Sequence, residues 1–292
     1  MSGAGKLTVR EKKRPDFRAT VTARAGGLRF RKERVETATY QGVITDRQAS
    51  GVLRISNETD RIGFEGVVDY ATPAVRAQGL LDASLATARR IRPYLPKGTD
   101  LEWTAGRFDG FVAYDQDGGR AQGILRAATL RTPTLSARNL SARVALKANE
   151  LTLRLERGEV ANTPLTGAAT INLRTRQLVG FAQAPQARGE DFSAFFRLPK
   201  GLQVGGAGAV AFNGPVQNPR LLGTGLLRGT FRLPNGKLLP FTAPVSLAGN
   251  LSGGTFPRVE LRTPAGTLTA QGSFGRGTGW NLAVSGRNLI LA

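Results

Sequence analysis

The side chains that usually carry chemistry are missing from this 292-residue chain or scattered along it. It contains no His and no Cys. Metal sites of the Cys/His kind, thiol nucleophiles and Ser-His-Asp triads are therefore excluded. Adjacent carboxylates occur in "GED" at Gly189, Glu190 and Asp191. A glycosidase pair must face a scissile bond from two sides, whereas neighbours in a capped turn explain this tripeptide more simply. "GAGK" at Gly3 to Lys6 lacks the full spacing of a phosphate loop, and Leu7 stands where a hydroxyl is needed. No enzyme, no cofactor and no metal is expected.

Charge is the next candidate for function. The chain carries 41 Lys plus Arg against 21 Asp plus Glu, a formal net charge of +20 spread along its length. Such a balance attracts polyanions, either nucleic acid or an anionic lipid surface, and it also suits an arginine-rich solvent face. Nucleic-acid binding calls for basic residues interleaved with exposed aromatics, or for a recognition helix. Neither pattern is visible, so no nucleic acid is expected.

The elements that must position these residues are strands. In "ELTLRLERG", Leu151, Leu153 and Leu155 alternate with Thr152, Arg154 and Glu156. "GVLRIS" sets Leu53 and Ile55 against Arg54, and "TINLRT" sets Ile171 and Leu173 against Asn172 and Arg174. This period of two predicts strands with one apolar face. Turns are expected at Ser56–Asp60, at Asp115–Gly119 and at Leu233–Lys237, where Asn235-Gly236 suits a type I′ hairpin. No segment approaches the ~20 apolar residues of a membrane-spanning helix. The polar, basic beginning lacks the apolar stretch of a signal peptide.

Two windows predict short helices. From Asp82 to Arg92, residues Leu81, Leu85, Ala88 and Ile91 share a helical face opposite Arg89, Arg90 and Arg92, with Asp82 as cap and Pro93 as terminator. A shorter one follows Asp191, with Phe192, Phe195 and Phe196 as its apolar side. Each window runs into Leu-Pro-Lys-Gly, at Leu95–Gly98 and at Leu198–Gly201.

Aligning these tetrapeptides brings Gly66 into step with Gly167 and Gly123 into step with Gly225, with Gly272 in a third copy. An offset of about one hundred residues predicts repeats. The expected organisation is a basic strand segment over 1–29, repeats over 30–128 and 129–228, and a truncated repeat over 229–292. With Gly frequent inside strands, an elongated antiparallel sheet coiled into a trough is expected, its short helices lying between units.

The segment Phe212–Asn250, followed by Val259–Phe274, resembles the repeat unit of the AsmA/TamB group of bacterial envelope proteins. The likeness rests on Asn218, Pro219, Leu221 and Gly223, then Leu-x-Leu-Pro-type hairpins, then Gly266, Leu268 and Gly272. It is clearest over roughly 130–292. The resemblance implies a curled all-β "β-taco" in the periplasm that carries phospholipid between inner and outer membranes. It also implies an outer-membrane barrel partner in envelope assembly, and an inner-membrane anchor outside this segment. The residues expected to line the lipid groove are Leu53, Ile55, Leu151, Leu153, Leu155, Ile171 and Leu173. The alternative is a structural or assembly scaffold whose open sheet edges pair with client strands.

Overall fold

The computed structural model describes residues 17–30, 33–71, 75–87, 102–131, 136–160, 162–192, 201–233, 236–275 and 279–287. These form an all-β protein in which paired strands run antiparallel and the sheet is open. The chain divides into two compact units, Met1–Leu153 and Arg154–Ala292.

Unit 1 contains β1 (Arg18–Phe30), β2 (Glu33–Thr45), β3 (Gln48–Ser56), β4 (Arg61–Asp69), β5 (Arg76–Thr87), β6 (Glu102–Asp115), β7 (Gly118–Arg131) and β8 (Ser136–Lys147). Each pairs with its sequence neighbour. Strand β9 (Glu150–Val160) begins in this unit and ends in the next. Short turns fix the registers. In the β3–β4 turn, the Asn57 amide donates to the Asp60 carbonyl at 3.0 Å, and Asn57 Oδ1 accepts from the Asp60 amide at 2.8 Å. Gly118 enters β7 at φ +108, a conformation that favours glycine, so the expected turn at Asp115–Gly119 is found.

The predicted helix from Asp82 is not formed over its described part. Asp82 to Thr87 continue β5 as strand, and Ala88–Arg92 lie outside the described residues. Two neighbours decide this. Asp82 sits opposite Gly63 on β4 and Asp109 on β6, and the buried carboxylate of Asp60 accepts the Ala86 amide at 2.7 Å. A backbone already bonded on both sides has nothing to gain from a helix.

Unit 2 contains β10 (Thr163–Pro164), β11 (Thr166–Asn172), β12 (Gln177–Arg188), a 3-10 turn (Gly189–Phe192), β13 (Leu202–Pro215), β14 (Arg220–Arg232), β15 (Leu238–Asn250), β16 (Gly253–Thr263), β17 (Gly266–Gly275) and β18 (Gly279–Arg287). From β11 to β18 consecutive strands again pair antiparallel. Registers shift in β12–β13 between Ala184 and Ala187, and in β16–β17 between Phe256 and Val259. The second predicted helix is a 3-10 turn where it is described, and its remainder, 193–200, lies outside the described residues. So does the first Leu-Pro-Lys-Gly; of the second only Gly201 is described, at φ +82 as it opens β13. At the β14–β15 turn Gly236 takes φ +83, while Asn235 lies outside the described residues.

The best-buried cluster belongs to unit 2. Phe241, Ala243 and Val259 are buried, with Leu202, Val204, Phe231 and Val245 packed against them. The Phe231 and Phe241 rings lie 6.2 Å apart and tilted.

Candidate functional site

Strand alternation and register sort each unit into an apolar and a polar face. In unit 1, Tyr40, Leu53, Phe64 and Leu81 stand opposite one another across β2 to β5. Two residues along, Ala38, Ile55, Ile62, Ala83, Phe108 and Leu125 form a second apolar rung reaching β7. Most of these side chains are half-buried. Among the described residues, substantial contacts run between sequence-adjacent strands, and no second layer covers this face.

Between the apolar rungs and the hairpin ends runs a row of glycines. Gly42, Gly51, Gly66 and Gly79 pair in series across β2 to β5. A Cβ at Gly42 would stand 2.8 Å from the Gly51 Cα, and one at Gly66 would stand 2.7 Å from the Gly79 Cα. Real Cβ atoms do not tolerate such approaches, so only glycine lets the backbones close in on this face. An aromatic ring two residues earlier lies over several of these glycines. Phe64 Cζ would be 2.7 Å from a Cβ at Gly66, and Phe108 Cζ would be 2.8 Å from one at Gly110 or at Gly123. Tyr40 covers Gly42 in the same way, and its hydroxyl donates to the Ser50 carbonyl at 3.1 Å. Burial, reinforced by nearby Tyr70, raises the Tyr40 phenol above its ordinary value of 10.0. The expected groove residues did not include these rings, although the signal, aromatic-x-Gly, stands in the sequence at Tyr40, Phe64 and Phe108.

Unit 2 also sets rings over glycines, there from the paired strand. Val204, Gly229 and Phe241 share one rung, and Ile171, Leu178 and Gly214 another. Phe212 covers Gly180, with Cε2 2.6 Å from where its Cβ would be, and Phe274 covers Gly254 at 3.0 Å.

The seven residues expected to line a groove are distributed over both units. Leu53 and Ile55 lie half-buried on the apolar face of β3, and Leu151 and Leu153 half-buried at the start of β9, all in unit 1. Leu155 on β9 and Ile171 on β11 are half-buried in unit 2. Leu173 is a correction to the expected strand "TINLRT". It begins a turn after β11 and is 45% exposed. The Asn172 side chain ends the strand, because its Oδ1 accepts the amides of Arg174 at 3.1 Å and Thr175 at 2.8 Å. The Arg176 amide then returns to the Asn172 carbonyl at 2.8 Å, so alternation stops one residue early.

On the polar face of unit 1, Asp109 accepts from Arg107 Nη2 and from Arg126 Nη1, both at 3.0 Å. Arg107 also reaches Asp82 at 3.5 Å. Its guanidinium is held further above its ordinary value by the Asp109 hydrogen bond, then by the charges of Asp109 and Asp82. All four groups are solvent-accessible, and such pairs add little stability. A concavity of about 570 Å³ at the hairpin ends is lined by Asp69, Arg76, Tyr114, Asp115 and Asp117 among others. It is open, and Arg120 pairs with Asp115. Among the described residues no cluster of three metal-binding side chains occurs. Glu190 stands 3.9 Å from Arg188, and Asp191 accepts from Asn162 Nδ2 at 3.5 Å.

No family model, no curated protein and no solved structure matches the chain. What distinguishes the molecule is therefore its own geometry: half-buried apolar rungs on one face, with charge on the other.

Proposed function

We propose that the chain is a segment of an AsmA/TamB-like periplasmic protein whose apolar face shields phospholipid acyl chains during transport between inner and outer membranes. The supporting observation is the pair of apolar rungs through Leu53 and Ile55, continuous from strand to strand and left without a covering layer among the described residues. Acyl chains need apolar contact and no particular polar partner, at roughly 0.8 kcal/mol per buried methylene. Glycine rows that let backbones close in on this face favour a curled trough over a flat sheet. The hundred-residue repeat is consistent with Gly66 lying on β4 and Gly167 on β11, seven strands on, and with Gly123 on β7 and Gly225 on β14. Gly272, on β17, falls six strands after Gly167, so the third copy keeps the order without the same interval.

Strand addition is the second reading, in which the segment scaffolds envelope assembly with an outer-membrane barrel partner. Its supporting observation is that, among the described residues, β18 has a pairing register only with β17, on a strand where Val284 is 61% exposed.

One experiment separates the two. A photoactivatable residue at Leu53, with Leu80 on the opposite face as control, is irradiated in cells with a two-membrane envelope. Phospholipid attached at Leu53 and absent at Leu80 supports the carrier. Polypeptide at Leu53 without lipid supports the scaffold, and equal lipid at both positions removes the groove.

A further inference from the structure

The polar face of unit 2 carries an ordered row of arginines. Pairing places Arg188 opposite Gly205, Gly205 opposite Arg228, Arg228 opposite Thr242, and Thr242 opposite Arg262. The row continues from Arg262 to Thr267, whose partner position on β18 is Arg287. Arginine thus occupies every second strand from β12, with Gly or Thr between. Neighbouring strands are about 4.8 Å apart, so the guanidinium-bearing positions recur at about 9.5 Å.

These arginines are poorly neutralised. Arg188 reaches Glu190 at 3.9 Å, and Arg228 and Arg262 are exposed with no ion pair among the described residues. From residue 192 onward the sequence holds ten Lys and Arg and a single acidic residue, Glu260. Arginines dispersed merely for solubility would be interspersed with carboxylates, as Arg107 and Arg126 are on the polar face of unit 1.

The same face carries exposed apolar side chains beside the row. Leu226 precedes Arg228 by two residues on β14 and is 43% exposed, while Phe181 and Leu222 share a rung through Ala211. Guanidinium groups at regular spacing next to apolar side chains match an anionic lipid surface, where phosphates meet the arginines and the apolar groups enter the interface. Single-stranded nucleic acid would want a series of aromatic platforms, and among the described residues Phe181 is the ring this patch offers.

We propose that the polar face of unit 2 docks on an anionic bilayer through the Arg188–Arg228–Arg262 row. This surface is opposite to unit 2's own apolar face and does not depend on acyl-chain binding.

The test is co-sedimentation of the whole chain with vesicles of phosphatidylcholine alone or with about one-third phosphatidylglycerol. Binding is expected to the anionic vesicles only. The double variant Arg228→Gln/Arg262→Gln should bind about twenty-five-fold more weakly, at about fivefold for each arginine. Arg54→Gln/Arg61→Gln in unit 1 removes the same charge outside the row and should stay within about threefold if the row, rather than net charge, makes the contact. Thr242→Arg fills a gap in the row and should tighten binding, a gain that misfolding cannot imitate. Equal losses in the two double variants, or no gain from Thr242→Arg, would overturn the proposal. So would tighter binding of a single-stranded oligonucleotide through the same arginines.

Discussion

Phe64 lies over Gly66, its ring Cζ 2.7 Å from where a Gly66 Cβ would stand, and the Gly79 Cα is equally close from the neighbouring strand. The ring occupies the volume that the glycine vacates, and the backbone of β5 occupies the rest. Apolar surface and close strand approach are thus two results of one aromatic-x-Gly unit.

Gly66→Ala should therefore destabilise unit 1 by about 1–3 kcal/mol, since either the ring or the β5 backbone must shift. Gly63→Ala, three residues earlier on the same strand, is the control. Its nearest obstacle is the Asp82 carbonyl at 3.8 Å, so its effect should stay within about 0.5 kcal/mol. Urea midpoints of both variants, compared at constant slope, check the difference.

Phe241→Ala should be the more costly change in unit 2. The side chain is 6% exposed and packs on Phe231 at the centre of the buried cluster. Truncation should lower stability by about 3–5 kcal/mol. Thermal unfolding followed by circular dichroism would show whether the transition shifts or disappears, and an unchanged transition would contradict the packing.

Tyr40 supplies a pH dependence. Burial and then Tyr70 raise its phenol above the ordinary value of 10.0, so the folded chain holds this proton more tightly than the unfolded one. The stability it contributes is complete below the unfolded value and is lost as pH rises through the folded value. Wild type should therefore lose stability above pH 10 more steeply than Tyr40→Phe. Absorbance titration at alkaline pH, with denaturant midpoints at each step, measures both quantities. Parallel curves for the two proteins would exclude the assignment.

Leu53→Asp and Leu80→Asp separate the two faces. Leu53 is half-buried on the apolar rung, whereas Leu80 is 60% exposed on the other side of the sheet. Lipid transfer between vesicle populations should fall at least tenfold for Leu53→Asp and stay near wild type for Leu80→Asp, because a carboxylate is costly only where acyl chains must lie. If Leu53→Asp unfolds the chain while Leu53→Ser transfers normally, Leu53 is ordinary packing.

The strand content was legible in the residues because alternation is local: Leu53 and Ile55 sit on one side of Arg54 in any extended chain. Turn positions were legible for the same reason, since Asp115–Gly119 and Gly236 carry their own conformational preferences. Where two local signals overlapped, the sequence could not choose. The segment from Asp82 satisfies both a helical and an alternating pattern, and Asp60, twenty-six residues away from Ala86, settles it by taking the Ala86 amide. At Leu173 the alternating pattern was overridden by one side chain, Asn172, whose carbonyl oxygen competes for the next two free amides.

The amino-acid sequence alone determined a chain made mainly of strands whose apolar and polar side chains alternate, because period and composition are properties of neighbours along the chain. Which glycine meets which was decided by the tertiary structure. Gly42 faces Gly51, and Gly66 faces Gly79, through registers set by several turns acting together. The row of Arg188, Arg228 and Arg262 has the same origin. These residues are forty and thirty-four positions apart in sequence, and only four antiparallel pairings bring them onto one line.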